Sequence, residues 1–310
     1  MSRTVVVLGG TGFLGHHVVR RLSARSCSVR VASRHPERAH ELFHGLSPEP
    51  QGAAVDIHDA ASVARCVAGA QAVVNAVSLY VEHGRETFRS VHVTAAGRVA
   101  QLAREAGVDR LVHVSGIGAD AASPSLYIRS RGQGDQAVRS AFPAATLIRP
   151  CVMFGPDDAF LTTVLNLLRR LPVYPMFGHG ATRLQPVHVE DVAEAIARVV
   201  ERDDSRAATV ECATFECGGP RVFSYAELIE TVARAARLQV SRIPVPFAVW
   251  HALARLAEVL PGHPLTRNQV ELMQIDTVVS PHARTLADLG IQPRDLERAV
   301  EAIAFPEIAA

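Results

Sequence analysis

The run Thr4-Val5-Val6-Val7-Leu8-Gly9-Gly10-Thr11-Gly12-Phe13-Leu14-Gly15 constrains this chain more than any other segment. Val5–Leu8 reads as a buried strand, and the glycines at 9, 12 and 15, spaced three apart, follow it directly. Leu14, Val18 and Leu22 then fall at i, i+4 and i+8, one apolar stripe that packs a helix on a sheet. A backbone without Cβ turns tightly at such positions and approaches a pyrophosphate closely. The helix N-terminus adds unpaired N–H groups and positive partial charge for the anion. The strand–turn–helix setting gives the spacing its meaning. Gly9, Gly10, Thr11, Gly12, Phe13, Leu14 and Gly15 are therefore expected to hold a dinucleotide.

The N-terminal half goes on alternating short apolar runs with amphipathic stretches, the pattern of β–α–β units and a parallel sheet. Expected strands are Thr4–Leu8, Val29–Ala32, Ala53–Val55, Ala72–Asn75, Leu111–Ser115 and Thr146–Ile148. Pro36 sits where a first-turn proline opens a helix. Val91–Ala106 reads as a long amphipathic helix closed by Gly107. After Ile148 the texture changes, with Arg149-Pro150 and Gly155-Pro156 breaking regular structure. A strand-like Gln185–Val189, helices at Glu190–Glu201 and Tyr225–Ala236, and a proline-punctuated helical tail follow. The fold class is α/β: a Rossmann-type doubly wound parallel sheet with a smaller, mainly helical C-terminal lobe. The expected boundaries are 1–155 for the dinucleotide lobe, with 181–217 returning to it. Residues 156–180 and 218–310 then form the second lobe.

Composition closes several other routes. A net charge of +1 argues against nucleic acid, which demands clustered cationic surface. No apolar run approaches the roughly 18–20 residues that span a bilayer. The entry straight into a strand is not the form of a signal peptide. Five widely spaced cysteines, Cys27, Cys66, Cys151, Cys212 and Cys217, make no disulfide framework and point to a reduced cytoplasmic compartment. Cys212 and Cys217 are five apart and the 14 histidines form no His-Glu-x-x-His pattern, so no metal site is expected. All 32 basic residues are arginine, which removes Schiff-base chemistry and any lysine base.

The end of the second strand bears on the cofactor. An NAD site places Asp or Glu about 20 residues after the loop, for the ribose hydroxyls. Here Ala32-Ser33-Arg34-His35 has no acid before Glu37. A hydroxyl and a guanidinium suit a 2′-phosphate, which makes NADP(H) the expected cofactor ahead of NAD(H). The alternative for Arg34 is a solvated charge at a helix start. Asp56-Ile57, after the third strand, either accepts from an adenine amino group or caps the following turn. Asn75-Ala76-Val77 ends the fourth strand with small residues that let a nicotinamide half pass.

Together these residues resemble the short-chain dehydrogenase/reductase superfamily in its extended and atypical branch, over nearly the whole chain. Ser115, in Val112-His113-Val114-Ser115-Gly116-Ile117-Gly118, matches that family's catalytic serine. Tyr127-Ile128-Arg129-Ser130-Arg131 falls at its Tyr-x-x-x-Lys motif. Leu147–Pro150, Phe154-Gly155-Pro156 and Pro186–Ala193 look like later signatures, which puts Pro150 beside the cofactor. Ile117–Asp120, Gly218-Gly219-Pro220 and Pro264-Leu265-Thr266 look like bacterial relatives of the NAD(P)-binding accessory subunit of respiratory complex I.

The resemblance implies a tyrosinate that exchanges a proton with substrate, a serine on the same oxygen, and a lysine beside both. Four residues apart on one helix, Tyr127 and Arg131 share a face, so the geometry is available and a nearby cation favours tyrosinate. Arg131 keeps the charge but not the point contact of an ammonium. Either arginine has replaced lysine throughout, or a lapsed site retains the cofactor alone. The reading is an oxidoreductase acting on a small hydrophobic carbonyl, hydroxyl or quinone-like substrate. The alternative is a non-catalytic NADPH-binding accessory or assembly subunit of a respiratory complex. A nucleotide-sugar epimerase/dehydratase stands outside both, because Val152 occupies the position where such relatives carry asparagine, and Cys151, Met153 and Phe154 beside it are apolar. The amphipathic Phe247–Leu260 stretch either touches the inner membrane peripherally, with Trp250 at the headgroups, or packs the second lobe. Oligomeric state is not legible.

Overall fold

The computed structural model describes residues 3–202, 213–257 and 265–304. Cys212, Glu258, Val259, Leu260, Pro261 and Pro264 lie outside the described residues. The chain divides into two compact units. The first comprises Met1–Pro150, Val189–Cys217 and Pro281–Ile291; the second comprises Cys151–His188, Gly218–Ser280 and Gln292–Ala310. The sequence placed the first crossing at 155 and the return at 181–217, with nothing coming back after 218. In the structure Pro281–Ile291 lies in the first unit, where the Glu216 N–H donates to the Arg284 carbonyl at 2.8 Å.

The first unit holds β1 (Thr4–Leu8), β2 (Ser28–Ser33), β3 (Gln51–Ala54), β4 (Ala72–Asn75), β5 (Arg110–Val114) and β6 (Thr146–Pro150). Its helices are α1 (Phe13–Ser23), α2 (Glu37–Phe43), α3 (Ala60–Val67), α4 (Ala96–Glu105) and α5 (Leu126–Ala141). A further strand, Thr214–Cys217, completes a seven-stranded sheet in the order Thr214–Cys217, β6, β5, β4, β1, β2, β3, with every pairing parallel. This is the doubly wound sheet expected. Its six expected strands form with ends moved by a few residues, and Ser115 falls just past β5. Strand order reverses at β1, which pairs with β2 on one side and β4 on the other, and ligands of such sheets bind at that switch point.

Valines and leucines alternate across the sheet, so both faces are covered. Val6, Leu8, Val63, Val73, Leu111 and Leu147 share one buried cluster. On the other face α1 packs along the helix Val189–Glu201, which carries a ladder of ion pairs: Arg21 and Arg25 to Glu190, Glu194 and Glu201.

The helix expected from Val91 to Ala106 begins earlier and differently. Arg89–Ala95 is a π-helical turn that runs into α4. The wider turn lies where α5 comes closest, for a Cβ at Gly134 would stand 2.1 Å from the His92 carbonyl oxygen. Gly107 closes α4 at φ +71°, as expected of a left-handed cap, with Val108 N–H donating to the Ala103 carbonyl at 3.0 Å.

In the second unit the helices Ala159–Arg170, Tyr225–Ala235 and Leu296–Ala304 enclose a core that includes Tyr174 and Tyr225, whose hydroxyls meet at 2.8 Å. Ser224 and Glu227 form a capping box on the middle helix. Ser241–Val245 departs from the helical tail the sequence led us to expect: it pairs in parallel with Val173–Phe177. A two-stranded ribbon leaves each strand an open edge, the setting in which strand prolines such as Pro175 and Pro244 are tolerated. The helix Phe247–Ala257 follows. Its Trp250 indole N–H donates to the Met176 carbonyl at 3.1 Å and its ring lies 4.4 Å from Phe177, while Val249, Leu253 and Leu256 are exposed. Among the described residues no helix is long and apolar enough to cross a membrane.

Candidate functional site

The glycine loop stands at the switch point. Gly9 has φ +77°, and a Cβ there would press on the Ala76 carbonyl carbon at 3.1 Å, so the loop and the end of β4 are nearest neighbours. At Gly15 a Cβ would stand 2.0 Å from the Gly9 carbonyl oxygen. Only hydrogen fits. The close packing brings α1 up to the loop, with Gly12 at its N-cap and no side chain closing its first turn. The first-turn N–H groups of Phe13, Leu14 and Gly15 therefore lack intrahelical partners, as a pyrophosphate requires. The site fits a dinucleotide by this cradle.

At the ends of β2 and β3 the expected adenosine-side residues carry hydrogen bonds already. Thr11 Oγ1 and Ser33 Oγ lie 3.1 Å apart, and Ser33 Oγ accepts from the His35 N–H at 3.1 Å. The exposed Arg34 donates to Glu86 Oε1 at 3.0 Å, with its side chain 64% accessible. Asp56 accepts from the His58 N–H at 2.9 Å and from Arg85 at 2.7 Å, and that backbone bond first, then Arg85, holds its carboxyl below the usual range. The bond from His58 closes the turn after β3, the second role expected of Asp56, and Asp59 caps the next helix by accepting from the N–H groups of Ala61 and Ser62. Ile57 packs against the core cluster and its carbonyl accepts from Arg98. Asn75 is buried; its Oδ1 accepts from the Val77 N–H, which leaves Nδ2 to donate to His113 Nδ1 at 3.3 Å. Burial pushes His113 down to about 4.

Tyr127 and Arg131 come together on one face of α5. Arg131 is 5% exposed. Its Nη2 and Nε donate to the Tyr127 hydroxyl at 3.2 and 3.4 Å, Nη2 also donates to Ser78 Oγ at 2.5 Å, and Nη1 to the Val114 carbonyl at 3.3 Å. The last bond reaches the residue before Ser115. Ser115 is buried, its N–H donates to the Ile148 carbonyl at 2.8 Å, and its Oγ has no partner among the described residues. A buried hydroxyl without a partner is costly in a resting fold, and a substrate oxygen would satisfy it. Pro150, at the end of β6, accepts from the Ile117 N–H at 3.1 Å, tying that strand end to the Ser115 loop.

Around the Tyr127 ring stand residues the sequence reading passed over. Tyr80 stacks on it at 5.7 Å; Phe88 and His92 meet it edge-on at 5.5 Å. His92 Nε2 accepts from the Leu79 N–H, so Nδ1 carries the proton and donates to Ser130 Oγ, which donates to the Tyr127 carbonyl. Burial first, then the Arg131 charge, pushes His92 down to about 2, so it stays neutral. Gly132, where a Cβ would stand 2.2 Å from the Ala121 nitrogen, lets the loop after β5 lie on α5. Paired glycines at 132 and 134 inside a helix were the one available signal for this packing.

Cys151 and Phe154 are buried in the second unit, Phe154 in its core, while Val152 and Met153 keep some exposure. His40, His44 and the exposed Glu49 bring donor atoms within 4.8 Å of one another, with His40 hydrogen-bonded to Glu49 at 2.9 Å.

Comparison with known proteins puts a frame around this geometry. The profile of the NAD dependent epimerase/dehydratase family matches residues 5–213. The chain is 31% identical over 299 residues to the mitochondrial NADH dehydrogenase [ubiquinone] 1 alpha subcomplex subunit 9 of Rattus norvegicus, covering 94% of this chain and 77% of that protein. It is 33% identical over 189 residues to the ceramide reductase of Caulobacter vibrioides, covering 61% of this chain and 58% of that one. Among solved structures, an NADPH-dependent quinone oxidoreductase from Escherichia coli complexed with NADPH superimposes with a TM-score of 0.75 at 18% identity, over 96% of this chain and 99% of the other.

Proposed function

This chain belongs to the NAD dependent epimerase/dehydratase family, and we propose that it is an NADPH-dependent oxidoreductase acting on a hydrophobic carbonyl, hydroxyl or quinone-like compound. The observation that carries the reading is the convergence of Arg131 on the Tyr127 hydroxyl, at 3.2 and 3.4 Å, with a third nitrogen of the same guanidinium on the Val114 carbonyl, one residue before Ser115.

The loop from Gly9 to Gly15 would hold the pyrophosphate, Ser33 and Arg34 the 2′-phosphate, and Asn75, Ala76, Val77 and Pro150 would border the nicotinamide half. Asp56 and Ile57 would border the adenine. A bound nicotinamide supplies or accepts a hydride. Ser115 donates to the substrate oxygen and fixes its position. Tyr127 delivers or removes the proton at that same oxygen. Arg131 fills the place of the family's lysine, and its several partners argue that the pocket is built around a guanidinium. That favours an intact site over a lapsed one.

NADPH in preference to NADH rests on Ser33-Arg34 and on the absence of an acid before Glu37. The apolar substrate class rests on the similarity to a ceramide reductase and on the fold shared with a quinone oxidoreductase. A second reading, an NADPH-holding accessory subunit of a respiratory assembly, is favoured by the 31% identity to a complex I subunit over 94% of the chain. The exposed Val249, Leu253 and Leu256 suit peripheral contact with a membrane or such an assembly from the cytoplasmic side. One variant separates the two readings. Tyr127→Phe abolishes consumption of NADPH by quinones or hydrophobic carbonyl compounds while cofactor binding persists. If no compound consumes NADPH even with the wild type, the accessory reading stands.

A further inference from the structure

Neither paired cysteines nor a His-Glu-x-x-His pattern marks the place where metal-ligating side chains do meet, at the end of α2. Ala39 and Phe43 bury one row of that helix completely, and Arg20 holds the same end by donating to the Leu42 carbonyl at 2.7 Å. The next row, His40 and His44, is thereby turned to solvent, one turn apart. The His44 N–H donates to the His40 carbonyl at 2.9 Å, and the two rings stand 5.2 Å apart at 61°. Glu49 reaches the pair from the connection to β3, where the buried Pro50 anchors the chain beside it. Its carboxylate is hydrogen-bonded to His40 Nδ1 at 2.9 Å, and one donor atom from each of the three residues lies within 4.8 Å of the others.

We propose that His40, His44 and Glu49 form a surface site for a borderline divalent transition cation such as zinc. Two imidazoles and one carboxylate are a ligand set such ions accept, whereas magnesium and calcium take oxygen ligands throughout. Three protein ligands leave a fourth position to water. Metal–ligand bonds of about 2.0–2.2 Å need each donor atom to move inward by roughly 1 Å or less. The side chains of His40 and Glu49, 71% and 48% accessible, have the room to do so. The cation takes the place of the proton between His40 Nδ1 and Glu49, and that proton passes to water. A bound ion ties the last turn of α2 to the residue before Pro50 and so closes the connection from α2 to β3 into a ring. This binding is separate from the dinucleotide cradle and from Tyr127, and it stands whether or not the chain turns over a substrate.

Zinc chloride titrated into the untagged full chain, followed by calorimetry, reads the site directly. The wild type should take up one more zinc ion than the double variant His40→Gln/His44→Gln. Its melting temperature should rise with zinc while that of the double variant does not. His40→Gln or His44→Gln alone should weaken this binding by roughly 10-fold or more, and Glu49→Gln should weaken it in the same direction. Cobalt(II) added in place of zinc should give the visible absorption of a four-coordinate ion, missing from the double variant. Magnesium should neither bind nor compete. All three side chains are exposed, so the variants should keep the fold, which circular dichroism checks. The single variants decide the matter if the double one unfolds. Zinc taken up equally by wild type and double variant puts the ion on other side chains and overturns the proposal. So does a wild type that binds no zinc at about 100 μM free ion, a concentration at which any specific site of useful affinity fills.

Discussion

The Arg34 guanidinium lies 3.0 Å from the Glu86 carboxylate, across 52 residues of chain. If Arg34 takes a cofactor 2′-phosphate as proposed, this carboxylate competes with it for the guanidinium. Glu86→Gln should therefore tighten NADPH binding by roughly 3- to 10-fold, the scale of a partly exposed ion pair. Arg34→Ala should weaken NADPH binding by roughly 10- to 100-fold and leave NADH little changed, as expected for lost charge-assisted bonds. Fluorescence titration of both cofactors measures this. Equal NADPH and NADH affinities in the wild type would refute the assignment of the 2′-phosphate to Arg34.

Gly15→Ala should be among the most damaging single-methyl changes in the first unit. The added carbon meets the Gly9 carbonyl oxygen at 2.0 Å, backbone against backbone, so the loop or α1 has to move. We expect a loss of about 2–4 kcal/mol in stability, at the upper end for overpacking, together with loss of cofactor binding. Thermal melts with and without NADPH check both. An unchanged melting temperature would mean that the loop does not lie against α1 as described.

What could be read in advance was local. Strand, glycine loop and helix follow one another within twenty residues, and the apolar spacing of β1, β2, β4 and β5 encodes burial on both faces. Tyr127 and Arg131 were found through the resemblance to a Tyr-x-x-x-Lys motif, and their spacing of one helical turn added only that they share a face. Ser78, Tyr80 and His92 were not, because tertiary packing brings Tyr80 and His92 to Tyr127, and Ser78 to Arg131, from 35 to 53 residues away in sequence. The Arg34–Glu86 pair was hidden by the same kind of separation. The strand Ser241–Val245 was missed because prolines argue against a central strand, and the sequence does not show that its only strand partner is Val173–Phe177 among the described residues.

Arg131→Lys restores the family's usual residue, yet here it should do harm. A single ammonium cannot serve the Tyr127 hydroxyl, Ser78 Oγ and the Val114 carbonyl from three nitrogens' positions. The expected cost is about 1–3 kcal/mol for buried groups left unpaired, read by urea unfolding. A lysine variant as stable as the wild type would favour simple arginine drift.

Glu190 should dominate the acid side of the stability profile. His17 at 2.5 Å first, and Arg21 at 2.9 Å, hold its carboxyl down to about 2. A depressed carboxyl stabilises the fold fully above its unfolded value near 4.3 and loses that contribution as pH falls towards 2. Glu190→Gln should cost about 1–3 kcal/mol at neutral pH and flatten the fall in stability between pH 5 and 2. Urea unfolding of both proteins at several pH values measures the difference, and parallel curves would assign the acid transition to other groups.

A chain without lysine whose two site arginines differ so much in accessibility, Arg34 open and Arg131 enclosed, is suited to selective covalent labelling. A dicarbonyl reagent directed at guanidinium groups meets no competing ε-amine and should mark Arg34 long before Arg131. If the two arginines act as proposed, preference for NADPH should be lost early, as Arg34 and the other exposed arginines react, and turnover only later, as Arg131 is reached.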